Sequence, residues 1–144
     1  MNYLKLYENF KEYEFYHKVS DIEAKNYFNQ HKTEYFTNNQ LLIIKNILSP
    51  IINDKYKFSN DNPWTFVLEY QSYIEFSPKN LYYSYTVRKM EDEIYYVRHF
   101  IDLNPSYNND GNRNLPLDNY NYREDYYLCD QFDGLIKFIC EKIK

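Results

Sequence analysis

LYYSYTVRKMEDEIYYVRHFI, residues 81–101, sets the architecture of this chain. The first nine residues alternate with period two, so every second side chain shares one face of an extended strand. That face carries Leu81, Tyr83, Tyr85 and Val87. The acidic residues 91–93 form a predicted turn, and residues 94–101 return as a second predicted strand. Two strand segments around a short polar turn predict a β-hairpin or meander.

Two helix starts precede the hairpin. Ser20 with Glu23, and Thr37 with Gln40, have the spacing of a capping box, in which two side chains bond reciprocally to the first turn of a helix. Apolar residues at helical spacing follow each box, and Pro50 lies just beyond the second run. The two predicted helices span residues 21–31 and 37–48.

Further strands are predicted after the second helix, and one ambiguous segment precedes the first helix. Residues 64–70 and 73–76 alternate with period two and are predicted strands. Residues 51–63 are rich in Asn, Asp and Lys and are predicted to be a loop. Residues 10–19 fit either a strand or a helix.

A long polar segment and a final helix follow the hairpin. Residues 104–125 contain two prolines, one glycine and many Asn and Asp, and are predicted to be a mobile surface loop. Residues 126–129 are a predicted strand, after which Asp130 is predicted to cap a helix. The predicted buried stripe of that helix is Phe132, Leu135, Ile136, Ile139, Cys140 and Ile143.

The order of helices, then strands, then a helix predicts an α+β fold. We expect an antiparallel sheet of four to five strands, with the N-terminal helices and the C-terminal helix packed on one face. The length of 144 residues, without a visible linker or repeat, predicts a single domain over residues 1–144.

Composition narrows the function classes. A hydrophobic fraction of 44% argues against intrinsic disorder, and no apolar run approaches the length of a membrane span. The N-terminus lacks a signal-peptide pattern and the two cysteines fit reduced thiols, which predicts a cytoplasmic protein. The net charge of −4, without a basic cluster, disfavours a duplex-DNA or ribosomal-RNA binder. Nineteen tyrosines against two glycines indicate a low-GC genome such as that of a virus, phage or organelle.

Two motifs carry a resemblance. DEIYYV at residues 92–97, followed by YYLCDQFDGL at residues 126–135, resembles small uncharacterised proteins of phages and large DNA viruses. In those proteins an acidic turn and an aromatic strand precede a Tyr-Tyr-x-Cys-Asp-Gln segment that leads into a Gly-Leu helix. The resemblance covers about the C-terminal third. It implies a viral source and no particular activity.

Catalytic interpretations have simpler alternatives. Asp61 and Glu69 resemble a degenerate metal-dependent nuclease pattern, but Gln71 stands where such a site has Lys, and two surface acids explain them better. Cys129 precedes a helix N-terminus, which favours a thiolate, but the following Asp130 opposes it. The three histidines, His17, His31 and His99, are spaced too widely for a zinc motif. We therefore predict no catalytic residue, no metal and no cofactor.

A non-enzymatic protein-interaction module is the leading interpretation: an inhibitor of a host factor or a minor component of a viral assembly, with a protein partner and no membrane partner. The predicted contact residues are Tyr82, Tyr85, Arg88, Glu91, Asp92, Glu93, Tyr95, Tyr107, Tyr120 and Tyr122. The alternative is single-stranded nucleic-acid binding by a sheet face that carries Tyr82, Tyr85, Tyr95, Tyr96, Arg88, Lys89 and Arg98.

Overall fold

Six antiparallel strands form one sheet in the computed structural model of the protein, which describes residues 15–52, 56–72, 81–102 and 122–143. The strand order across the sheet is β1-β6-β5-β4-β3-β2. The elements in chain order are β1 Tyr16–Val19, α1 Asp21–Gln30, α2 Asn38–Leu48, β2 Tyr56–Asn62, β3 Thr65–Ser72, β4 Leu81–Met90, β5 Ile94–Asp102, β6 Tyr122–Asp130 and α3 Gln131–Phe138, which continues as a π-helical segment over Ile139–Ile143. No helix within these ranges is long and apolar enough to cross a membrane.

The predicted α+β class and antiparallel sheet are confirmed, but the sheet has six strands instead of four to five. The sixth strand arises because residues predicted to be a loop form β2, which pairs with β3 from Tyr56 opposite Tyr70 to Asn62 opposite Thr65. The predicted strand over residues 73–76 lies outside the described residues.

Both predicted capping boxes are confirmed. The Ser20 hydroxyl accepts from the Glu23 amide at 3.1 Å, and the Thr37 hydroxyl accepts from the Gln40 amide at 3.0 Å. The reciprocal side-chain bonds are present in both cases. These local bonds satisfy amide groups that have no partner within the helix, which explains why each helix begins where its sequence indicates.

The central hairpin is also confirmed. β4 and β5 pair without interruption from Tyr82 opposite Asp102 to Met90 opposite Ile94. Residues Glu91–Glu93 form the turn as a short 3₁₀ segment. Asp92 and Glu93 both have left-handed backbone conformations, with φ of 61° and 58°. Side chains other than glycine pay a steric cost there, although Asp tolerates it better than most.

Helices lie on both faces of the sheet, not on one. Helices α2 and α3 pack on the face that we call the core face, where Ile44 and Leu135 belong to one apolar cluster with Val87 and Val97. Helix α1 packs on the opposite face, called here the α1 face. Its side chains Ala24 and Tyr27 meet the second apolar cluster, which comprises Val19, Met90, Ile94, Tyr96, Tyr126 and Leu128.

The C-terminal helix differs from its prediction in two details. Asp130 is its N-cap residue, but its side chain makes no capping bond. Its backbone amide instead donates to the Phe15 carbonyl at 2.8 Å, next to the edge strand β1. Cys140, predicted to be buried, is exposed, and Phe138 lies in the core in its place. Gly134 is required because a Cβ there would lie 2.5 Å from the Phe15 carbonyl oxygen.

Candidate binding surface

The α1 face carries the candidate site. In the described part of the chain, α1 covers the end of this face near Met90 and Ile94. Strand alternation places Thr86 and Arg88 of β4, and Arg98 and Phe100 of β5, on the same face further along. Cationic and aromatic side chains therefore lie on the α1 face next to the small apolar cluster that α1 covers.

A pocket of about 130 Å³ opens between α1 and these two strands. Helix α1 supplies one wall, and the sheet supplies the floor. The lining residues are Lys25, Phe28, Asn29, Thr86, Arg88, Tyr96 and Arg98. Sequence reasoning missed the three helix residues, because their pattern alone does not show which strand α1 crosses. The (i, i+4) spacing of Lys25 and Asn29 beside Phe28 was the only signal available.

Arg88 is held from one side by aromatic rings. Its guanidinium lies 4.8 Å from the centre of the Phe28 ring, and that ring packs 5.6 Å from the Tyr96 ring. The Arg88 Nε atom is buried and has no hydrogen-bond partner among the described residues. Within those residues Arg88 also forms no ion pair. A cation that lies over an aromatic ring and keeps a donor without a partner can bind an anionic group.

Arg98, in contrast, is already paired. Its guanidinium donates to the Glu124 carboxylate at 2.7 Å, and the Tyr126 hydroxyl donates to the same carboxylate. The hydrogen bond from Arg98 holds the pKa of Glu124 below its usual range, and the same bond raises the pKa of Arg98. Burial, followed by the bond to Glu124, raises the pKa of Tyr126. This pair is a fixed part of the surface and not a free cation.

Aromatic side chains extend the surface away from the pocket. The Phe100 ring stacks on Tyr122 at 5.7 Å and meets the edge of Tyr82 at 6.2 Å. Arg98 lies 5.6 Å from the centre of the Phe100 ring. Tyr122 is 52% exposed. The result is a row of rigid amphipathic rings beside a charged pocket.

The structure sorts the predicted contact residues into several groups. Tyr82, Arg88 and Tyr122 lie together on the α1 face. Tyr85 and Tyr95 lie in the core, so their prediction as surface contacts is wrong. The reason is strand alternation: residues of β4 and β5 with odd numbers point to the core face. Burial raises the pKa of Tyr85 to about 12.

The acidic tip of the hairpin keeps an accessible surface but also has a structural role. Glu93 accepts from the Tyr95 hydroxyl at 3.0 Å and lies 3.9 Å from the buried ammonium of Lys89. Lys89, predicted as an exposed cation of a nucleic-acid face, therefore belongs to the interior. Tyr107 and Tyr120 fall outside the described residues.

The loop boundary at Tyr122 also differs from the prediction. Strand β6 begins at Tyr122, although residues 104–125 were predicted to be loop. Its early residues pair with β5, from Tyr122 opposite Asp102 to Asp125 opposite His99. Tyr122 thus occupies a defined position on the α1 face.

The two acids of the nuclease-like pattern, Asp61 and Glu69, do not lie close enough together to share a metal ion. In the β2–β3 register Glu69 lies opposite Lys57, and Asp61 stands four residues further along β2, which corresponds to roughly 13 Å along the strand. Carboxylates that share a metal ion each lie within about 2.6 Å of it. The described residues contain no group of three or more His, Cys, Asp or Glu placed to hold a metal ion.

The cysteine hypothesis is also not supported by the geometry. Cys129 is completely buried in the core, and burial raises the pKa of its thiol. The thiolate that a nucleophile requires is therefore strongly disfavoured. His99 stacks on Tyr85 with the ring centres 4.0 Å apart, and burial lowers its pKa to about 4.

Comparison with known proteins gives no further guide. The chain matches no protein-family model, no curated protein and no solved structure.

Proposed function

We propose that this protein is a non-enzymatic binding module that contacts a protein partner through the α1 face. The observation that carries the proposal is the combination on one rigid sheet of half-exposed aromatic rings with an arginine that lacks an ion-pair partner among the described residues. Tyr, Trp and Arg are the residues that most often dominate the binding energy of protein interfaces. Rigid rings also lose little conformational entropy on binding.

The charges on this face favour a protein over a nucleic acid. Arg98 pairs with Glu124, and Lys25 pairs with Asp21 at 3.2 Å. A nucleic-acid strand brings one negative charge per nucleotide and binds surfaces where many cations remain free. A surface of mixed charge, where two of the three cations beside the pocket already pair with carboxylates, suits a protein interface, in which charged pairs set orientation and specificity.

The same composition that indicates a low-GC genome supports a viral or phage source, with a cytoplasmic partner in the host or in the viral assembly. An inhibitor of a host factor and a minor assembly component both require a binding surface of this kind. The acidic tip, Glu91 to Glu93, lies beside the C-terminal end of α1, where the Glu91 amide donates to the Lys32 carbonyl at 2.8 Å. It extends the proposed contact surface.

The test is affinity purification of the tagged protein from its natural host after nuclease treatment, with quantitative mass spectrometry. Thr86→Lys places a long charged side chain in the middle of the α1 face. Leu42→Lys makes the matched change on an exposed position of α2, which packs on the core face. We expect one stoichiometric protein that survives nuclease, is lost with Thr86→Lys and is retained with Leu42→Lys.

Two outcomes contradict the proposal. A protein partner retained by a folded Thr86→Lys variant places the contact elsewhere. Loss of every partner after nuclease treatment favours the second candidate, single-stranded nucleic acid, for which the stacked rings Tyr82, Phe100 and Tyr122 supply the platform. Titration with a labelled oligonucleotide at two salt concentrations then measures the phosphate contribution.

A further inference from the structure

The pocket beneath α1 has hydrogen-bond donors that suit an anion. One of them, the Nε donor of Arg88, is buried without an acceptor among the described residues, and the Arg88 guanidinium lies over the Phe28 ring, 4.8 Å from the ring centre. A buried donor without an acceptor destabilises the free protein, and a ligand acceptor removes that penalty. The guanidinium presents its N–H groups in the planar arrangement that binds two oxygen atoms of one ligand side by side.

The balance of charges around the pocket indicates the charge of the anion. The pocket is lined by three cationic side chains, Lys25, Arg88 and Arg98. Two carboxylates pair with them, Asp21 with Lys25 and Glu124 with Arg98. Three positive charges and two negative charges leave one positive charge. A monoanion neutralises this set, whereas a dianionic phosphate leaves an uncompensated negative charge beside Asp21 and Glu124.

The pKa of the Tyr96 hydroxyl, at the floor of the pocket, is shifted by the same charged groups. Burial raises its pKa, Arg88 and Arg98 oppose that rise, and Glu124 and Asp21 add to it. The four charged groups therefore act on one small volume. Asn29 and Thr86 add neutral polar groups to the lining, suited to the remaining lone pairs of a carboxylate.

We propose that this pocket binds a single carboxylate group of the protein partner, either an Asp or Glu side chain or the C-terminus of the chain. The proposal rests on the proposed function for the source of the carboxylate, but not for the pocket itself. Arg88 is the anchoring residue, and Phe28 and Tyr96 orient it. The carboxylate would place one oxygen atom on the unpartnered Nε donor and the other on a terminal nitrogen of the same guanidinium.

Acetate is the probe that tests the pocket without knowledge of the partner. The full-length protein, labelled with ¹⁵N, is titrated with sodium acetate against sodium chloride at equal ionic strength, and the Thr86 amide and the Arg88 Nε–H resonances are followed by NMR. We expect saturable shifts with a dissociation constant in the millimolar range, as for a single small charged contact. Sodium chloride is expected to give no saturable shift.

Two arginine variants supply the matched comparison. Arg88→Lys keeps the positive charge and removes the planar fork, so acetate binding followed at Thr86 should weaken at least tenfold. Arg123→Lys makes the same change at an exposed arginine that pairs with Asp125 at 3.2 Å, outside the pocket. It should leave the acetate titration unchanged.

The outcomes separate this proposal from the proposed function. Absence of a saturable acetate shift, or equal binding by Arg88→Lys, overturns the carboxylate pocket even if a protein partner is captured through the α1 face. Inorganic phosphate that binds at least tenfold more tightly than acetate overturns the choice of a monoanion. Acetate binding that depends on Arg88, in a protein that captures no nuclease-resistant partner, supports the pocket and overturns a protein as the source of the carboxylate.

Discussion

Replacing Gln40 with alanine is expected to lower the free energy of unfolding by about 2–4 kcal/mol, more than a helix cap alone explains. Gln40 is the third residue of α2, where its Oε1 atom accepts from the Thr37 amide at 3.1 Å. The same oxygen accepts from the buried Lys89 ammonium at 3.0 Å. Its amide nitrogen donates to the Tyr95 hydroxyl at 2.9 Å.

The magnitude follows from these three bonds. A hydrogen bond to a charged group contributes about 1.5–3 kcal/mol and a neutral one about 0.5–1.5 kcal/mol. The Lys89 side chain is only 6% exposed, so water replaces the lost acceptor poorly. Its remaining partner, Glu93, is 3.9 Å away. The two tertiary bonds therefore outweigh the capping bond.

Helix α1 offers a matched control. Glu23 holds the equivalent position in the other capping box, where its carboxylate accepts from the Ser20 amide at 3.4 Å. It is exposed, and its capping bonds are local. Glu23→Ala should cost about 0.5–1 kcal/mol. The difference between the two losses in unfolding free energy measures how much the hydrogen bonds between α2 and the central hairpin contribute to stability.

Urea unfolding followed by far-UV circular dichroism gives both free energies from the midpoint and slope of the transition. Equal losses for Gln40→Ala and Glu23→Ala, within about 0.5 kcal/mol, would show that the two tertiary bonds of Gln40 add nothing to the cap. A second variant tests whether the loss arises from the buried Lys89 ammonium. Adding Lys89→Met to Gln40→Ala removes the buried ammonium, and the double variant should be at least as stable as Gln40→Ala alone.

Three further predictions concern pH and backbone geometry. The pKa of His99 is lowered from 6.5 to about 4, so the unfolded chain alone takes up a proton between these pH values, and stability falls as pH drops through that window. The fall corresponds to about 3 kcal/mol at most, and the partial exposure of the ring lowers it to about 1–2 kcal/mol. Asp92→Ala should lower stability by about 1 kcal/mol, while Asp92→Gly should not, because φ is 61°. Gly134→Ala should cost about 1–3 kcal/mol because its Cβ meets the Phe15 carbonyl.

A control variant or a contradicting outcome tests each of these three predictions. His99→Phe keeps the stack on Tyr85 without a titrating group and should flatten stability between pH 6.5 and 4; an unchanged slope assigns the effect to other groups. Equal stability of Asp92→Ala and Asp92→Gly would contradict the strain argument. For the glycine, Lys137→Ala at an exposed position of α3 should change stability by less than about 0.5 kcal/mol, and an equally mild Gly134→Ala would show that the backbone adjusts.

Strand β2 shows why part of the sheet escaped sequence analysis. Its residues Tyr-Lys-Phe-Ser-Asn-Asp-Asn include four that are common in turns and rare in strands. Pairing with β3 and the contacts of Tyr56 with Tyr70 and Tyr83 hold it in the sheet. The Tyr56 and Tyr83 hydroxyls lie 2.6 Å apart. These partners are 14 and 27 residues away, beyond the reach of local propensity.

The candidate site was predictable in part. Arg88 and Arg98 were correctly expected on adjacent strands, because the hairpin register follows from its turn. Tyr96, expected on an exposed sheet face, is instead buried in the apolar cluster beneath α1. Tyr85, Tyr95 and Lys89 were grouped with the two arginines, since tyrosine and lysine occur on both alternating positions. The helix residues Lys25 and Phe28 entered only when α1 packed on the face opposite to the other helices.

Two capped helices, the central hairpin and its acidic turn could be predicted from the amino-acid sequence, because they depend on residues a few positions apart. Their hydrogen bonds close within short stretches of chain, so local residue types are sufficient to specify them. Which sheet face became the core, and where α1 crosses the strands, depended on long-range packing. Aromatic residues occupy both faces of β4 and β5, so the choice depends on which face the helices cover, and that is a property of the whole fold.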